Sequence, residues 1–146
     1  MLIVSRLTNL IDRKQLLLIR GMSKTSFEKL EVYQLAEKLA DEIWRLVAGW
    51  ENFPKHTVGK QIVEASDSVC ANIAEGCGRF SYKDNSRFIR IARGSLYETK
   101  NWLRRAYVRR LLADEQVEKL KPLLEELLPK LNAYLRSIKK KAEEEG

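Results

Sequence analysis

Ten basic side chains lie between Arg79 and Arg110: Arg79, Lys83, Arg87, Arg90, Arg93, Lys100, Arg104, Arg105, Arg109 and Arg110. Only two acidic ones, Asp84 and Glu98, lie among them. The resulting +8 exceeds the +7 of the whole 146-residue chain, so the remainder is close to neutral. Guanidinium and ammonium groups at this density build an electropositive surface, whose usual partner is a polyanion. Contact with a phosphate backbone needs cations spaced along one edge and tolerates any base sequence. Arg79, Lys83, Arg87, Arg90, Arg93, Tyr97, Lys100 and Arg104 are the candidate contacts, and Tyr82 and Tyr97 could stack on exposed bases. The other use of such a face is to pair with carboxylates, on an acidic protein partner or on a second copy of the chain.

Catalytic chemistry is poorly supplied. The only histidine, His56, sits in the turn before the second helix, where a lone histidine is more often an exposed turn residue than a catalyst. Glu-x-x-His pairs, which build metal sites in helical bundles, do not occur. No arginine precedes His56 at the four-to-six-residue spacing of helical RNA-cleaving domains. Gly76-Cys77-Gly78 closes a helical pattern instead of following a strand, so it is not a phosphate-cradling loop. Cys70 and Cys77 lie about two turns apart on one helical face, beyond disulfide reach and too few for zinc. They read as two small buried thiols. No enzyme activity, metal or cofactor is expected.

Four helices must position the basic side chains. Thr25 and Glu28 have capping-box spacing, which predicts a helix from about residue 26 with the stripe Leu30, Leu35, Leu39, Ile43, Leu46, Val47 and Trp50. A second helix is expected from about Thr57 to Gly76, with Val58, Ile62, Ala65, Val69, Asn72 and Ile73 inward. Asn72 would then be a buried amide bonded to a neighbouring helix and fixing register. Gly76 and Gly78 end this helix by accepting a left-handed conformation. Ser81 and Asp84 form a second capping box. On the third helix Phe88, Ile91, Ala92, Ser95, Leu96, Thr99, Trp102, Leu103 and Ala106 share one face, opposite Arg87, Arg90, Arg93, Tyr97, Lys100 and Arg104. The fourth begins with Asp114 as N-cap and carries Val117, Leu120, Leu124, Leu127, Leu128, Leu131, Leu135 and Ile138, with Pro122 and Pro129 bending it. Glu143-Glu144-Glu145 form an acidic, frayed tail. No segment alternates as a half-buried strand does. The expected fold is an all-α, up-and-down four-helix bundle over residues 22–142, with an acidic tail at 143–146.

Residues 1–21 read differently: apolar patches interrupted by Arg6, Asp12, Arg13, Lys14 and Arg20. Gln15 to Ile19 is too short for a membrane span or a signal-peptide core. Met22 is the expected start, which makes residues 1–21 an upstream extension and leaves the bundle at +4. A cytoplasmic protein without membrane contact is expected.

The run Asn72-Ile73-Ala74-Glu75-Gly76-Cys77-Gly78-Arg79, followed by Arg87-Phe88, Ile91-Ala92-Arg93-Gly94-Ser95-Leu96 and Glu98, resembles one family. It is similar to the four-helix-bundle proteins encoded within intervening sequences of bacterial 23S ribosomal RNA genes. Phe27-x-x-Leu30, Ala36, Phe53-Pro54 and Gln61-Ile62 fit the same pattern, and the match spans about Phe27 to Ile138. Asn72, Glu75, Gly76, Gly78 and Gly94 are its signature positions. The resemblance implies a small bundle that assembles as a homo-oligomeric ring, commonly a pentamer, with no established enzymatic activity. The fold is also similar to that of the accessory variability determinant of diversity-generating retroelements, a pentameric basic bundle that engages a reverse transcriptase and nucleic acid. That likeness implies RNA or DNA binding, or an accessory role docked on a protein such as a reverse transcriptase. One departure is that Glu64 stands where the family tends to carry arginine, and Asp67 follows. Any polyanion site therefore rests on the third helix and on Lys60.

Overall fold

Apolar side chains recurring every three or four residues draw the chain into four helices around one core. The computed structural model describes residues 27–146. A 3-10 turn at Phe27–Lys29 leads into α1, Glu31–Ala48, which buries Val32, Ala36, Leu39, Ala40, Ile43 and Val47. The α-helix therefore opens at Glu31 and not near residue 26, and Leu30 at its N-cap supplies no side-chain acceptor. Thr25, the other half of the expected box, lies outside the described residues.

The second helical run begins earlier than expected. A turn at Asn52–Pro54 and a π-helical turn at Lys55–Gly59 precede α2, Lys60–Cys77, without a break. Pro54 is tolerated because first-turn N–H groups lack helical partners anyway. Gly59 lets α1 and α2 approach closely: a Cβ there would lie 2.6 Å from Val47 Cγ1.

Helix α3, Tyr82–Val108, is capped by Ser81, whose Oγ accepts the Asp84 N–H at 3.1 Å. Its core face is Phe88, Ile89, Ala92, Leu96, Thr99, Leu103 and Ala106. Ile91, expected inside, is 46% exposed, and Ile89 is fully buried in its place. The reason is that α3 packs against both α2 and α4, which centres the buried arc on Ala92 and Leu96 and leaves Ile91 on the flank. The helix ends at Arg110, whose φ of 61° makes it the single non-glycine left-handed residue described. Arg110 N–H donates to Tyr107 O at 3.0 Å and Leu111 N–H to Ala106 O at 2.9 Å, a Schellman turn.

Gly76 and Gly78 end α2 for another reason than the one expected. No described glycine has positive φ, and Gly78 sits at −82°. Gly76 is needed for proximity, because a Cβ would fall 2.5 Å from Asn85 Oδ1 and 3.0 Å from Phe88 Cβ on α3.

Helix α4, Asp114–Glu145, has Ala113 as its N-cap, with Gln116 Oε1 accepting the Ala113 N–H at 2.8 Å. Asp114 therefore sits inside the first turn, where its charge still favours the helix dipole. Pro122 and Pro129 are exposed, so the carbonyls they leave unbonded can reach water, and the helix continues through both. The acidic tail is helical and docked, not frayed. Glu145 carboxylate oxygens accept the Tyr82 N–H at 3.1 and 3.3 Å, at the start of α3.

Consecutive helices are neighbours, and α1 also packs on α4, while the diagonal pairs make no comparable contact. With short connections this is an all-α, up-and-down four-helix bundle. Leu39, Ile43, Ile62, Ile73, Ile89, Leu96, Leu127 and Leu131 fill its centre. Asn72 is half-buried and donates to Ser68 O at 2.7 Å and Ser68 Oγ at 3.0 Å on its own helix, so it does not tie α2 to a neighbour. The polar link between α2 and α3 is Ser68 Oγ to Ser95 Oγ, 2.9 Å.

Candidate nucleic-acid interface

Two contacts orient the outer surface of α3. Ser95 faces α2 through Ser68, and Arg93 faces α4 by donating from Nη1 to Asn132 Oδ1 at 3.3 Å. The basic side chains therefore lie on the edge toward α4, and α2 contributes little to them. They do not form one uniform row.

At the N-terminal end Arg79, Lys83, Arg87 and Arg90 line a shallow cleft with Phe80, Ser81 and Asp84. Two of the four arginines and lysines are already engaged. Arg79 Nη2 pairs with Glu75 Oε1 at 2.8 Å, and its Nε lies 3.7 Å from Asp84 Oδ2. Arg87 Nη2 pairs with Asp84 Oδ1 at 3.2 Å. Their guanidinium carbons sit 4.4 and 5.1 Å from the centroid of the Phe88 ring, so the two arginines clamp Phe88 at the α2–α3 junction. This is a structural assignment for Glu75 and Arg79: they pin the end of α2 to the start of α3.

Lys83, Arg90, Arg93, Lys100 and Arg104 have no carboxylate at ion-pair distance among the described residues. Arg90 Nε makes only a long 3.4 Å bond to Ser86 O on its own helix. Lys100 Nζ lies 5.7 Å from the centroid of the exposed Tyr97 ring. From Arg90 to Lys100 the helix rises about 15 Å. The uncompensated cations thus extend along most of α3.

Two residues near these cations are absent from the sequence-level candidates. Phe80 is fully exposed between Arg79 and Lys83, and Lys121 comes from α4 to the same edge as Lys100 and Arg104. Phe80 follows the helix stop and belongs to no apolar stripe, which was the available signal. Lys121 had none, since only the α3–α4 packing brings it over. Tyr82 is committed elsewhere: its ring lies under Lys141 Nζ at 5.4 Å and its N–H binds Glu145. Gly94 faces open space, so nothing among the described residues requires a glycine there.

Other titratable groups have structural explanations. Burial pushes the Cys70 thiol up, reinforced by Asp67, and its Sγ donates to Asp67 O at 3.3 Å. Burial together with Glu37 pushes the Tyr33 phenol up to about 12. Burial likewise raises Tyr134, which the Asn85 side chain opposes. Among the described residues no three His, Cys, Asp or Glu side chains converge to hold a metal ion, and no helix is long and apolar enough to cross a membrane.

No curated protein matches the sequence. The residues that shape this surface, from the Gly76 contact and the Glu75–Arg79 clamp to Gly94 on the outer face of α3, all fall within residues 28–133, which match the model of the 23S rRNA-intervening sequence protein family, and the chain belongs to that family.

Proposed function

We propose that this is a non-enzymatic, oligomeric bundle protein that binds RNA or DNA through the phosphate backbone, on the α3 edge facing α4. The observation that carries the reading is that Lys83, Arg90, Lys100 and Arg104 have no acidic neighbour at ion-pair distance among the described residues. Arg79 and Arg87 are held in ion pairs, whereas these four leave a local positive field that no described carboxylate pairs with. Each phosphate neutralised releases counterions, so four contacts predict a salt slope of about −3 to −4 in log affinity against log salt. Base sequence should matter little.

The test replaces Lys83, Arg90 and Arg104 together by glutamate, three side chains without a structural ion pair. Binding to single-stranded and duplex RNA should be abolished, while helical content and oligomer size are preserved. If the triple variant binds as tightly as the parent at physiological salt, the edge serves an acidic protein partner instead.

A further inference from the structure

At the far end of the same edge lies a cleft whose apolar floor does not suit a phosphate backbone, although its rim shares Lys100 and Arg104 with the proposed nucleic-acid edge. Its walls are Leu103 from α3, Leu112 from the connection, and Val117, Leu120 and Leu124 from α4. Leu103, Leu112 and Leu120 are buried, and the ring of Tyr107, half exposed, forms one side. The volume is about 270 Å³, just under the usual range for small-molecule sites. The left-handed turn at Arg110 closes one end by folding Leu111 and Leu112 back toward the helices.

The rim carries Lys100, Arg104 and Lys121, and no carboxylate lines the cleft. Lys121 Nζ has only a 3.8 Å approach to Glu125 on the surface, and Lys100 and Arg104 have no acidic partner among the described residues. We propose that this cleft binds a small amphiphilic anion, a free medium-chain aliphatic carboxylate of about six to ten carbons. The chain would lie along the leucines and the carboxylate would sit between Lys100, Arg104 and Lys121.

Complementarity selects this occupant. Aliphatic walls offer no hydrogen-bond partner to the polar edge of a nucleobase, so a buried base would lose its bonds to water without replacement. A helical peptide needs an extended groove, and this cleft is short and closed at the Leu112 end. Residues 1–26 carry five basic side chains against one acidic, so like charge opposes their docking at this rim. A neutral lipid would leave the three cations unused. The carboxylate satisfies both halves of the site, with charge-assisted bonds at the rim and apolar burial below.

Titration calorimetry with octanoate, on the full chain and without nucleic acid, tests the site independently of the nucleic-acid reading. Octanoate should bind saturably with one site per chain, and octanol and acetate each at least about tenfold more weakly. The double variant Lys100→Gln, Arg104→Gln should weaken octanoate about tenfold and leave octanol unchanged, with helical content intact. Val117→Trp, which fills the cleft from its half-buried side, should remove octanoate binding and leave RNA affinity unchanged, which separates this site from the nucleic-acid reading. Octanoate that fails to saturate, equal affinity for octanol, or binding unchanged by Val117→Trp would each overturn the proposal.

Discussion

Single atoms decide how α2 meets α3. Gly76 has no room for a Cβ, with Asn85 Oδ1 at 2.5 Å and the Asn85 backbone oxygen at 3.2 Å. Gly76→Ala adds helix preference worth about 1 kcal/mol but forces two packed helices apart, and overpacking costs about 1–3 kcal/mol. The expected net effect is a loss of up to about 2 kcal/mol in urea unfolding; a gain in stability would mean that Asn85 swings away freely. Glu42 makes a different kind of contact. Its side chain, largely shielded from water, pairs with Lys119 Nζ of α4 at 2.9 Å and with Arg45 Nη1 at 2.8 Å. The bond from Lys119, then the nearby charges of Lys119 and Arg45, hold its carboxyl below the ordinary 4.5 although partial burial opposes them. A carboxylate with a depressed folded pKa stabilises above the unfolded value, and that stability is lost as pH falls through the folded one. Glu42→Gln should therefore lower Tm at pH 7, and the gap to the parent should close as pH drops below about 4. A gap that persists at pH 2 would show that the amide fails for reasons of packing, not charge.

Element ends show where sequence reading succeeds and where it fails. The Ser81 cap was legible because its bond spans three residues, a distance local sequence encodes. The α4 stripe and most of the α2 stripe were legible for the same reason, since 3.6-residue periodicity is a local property, whereas on α1 the expected stripe held Leu39, Ile43 and Val47 but missed the buried Val32, Ala36 and Ala40. The Ile91 and Ile89 exchange was not, because it depends on α3 being flanked by two partners, which no window along α3 contains. The roles of Arg79 and Arg87 were hidden likewise: as charges they joined the basic stripe, but Glu75, Asp84 and Phe88 take them for structure. The glycines misled in the other direction, since the left-handed turn falls on Arg110 and not on Gly76 or Gly78. An L-residue in that conformation costs about 1 kcal/mol that glycine avoids. Arg110→Gly should therefore stabilise the protein by about 0.5–1 kcal/mol in chemical unfolding. A loss of stability would mean that the Arg110 side chain makes a contact worth more than the backbone strain.

At the scale of the molecule, two exposed apolar patches lie away from the cationic α3–α4 edge. Trp44 on α1 is 63% exposed and Phe53 81% exposed at the α1–α2 side, while Ile91, one turn before Ser95, is exposed on the α2–α3 side. Lys100, Arg104 and Lys121 lie on the α3–α4 side. Joining copies through the Trp44 surface of one and the Ile91 surface of the next uses two unlike patches, a heterologous contact that closes into a ring when the rotation allows. Such a ring leaves the α3–α4 edge facing outward, so assembly and polyanion binding need not compete for the same side chains. A pentamer of the 17.0 kDa chain has a mass of about 85 kDa, readable by light scattering. If copies join through these apolar patches, as we propose, that mass should hold when salt is raised to 1 M, whereas nucleic-acid affinity should fall steeply. Trp44→Glu should give monomers with unchanged helical content, because Trp44 contributes little to its own core. A monomer at micromolar concentration in the parent protein would refute the assembly. If instead the Lys83, Arg90 and Arg104 charge reversal dissociates the ring, the basic edge is itself the joint, and the cations are paired with carboxylates of a neighbouring copy.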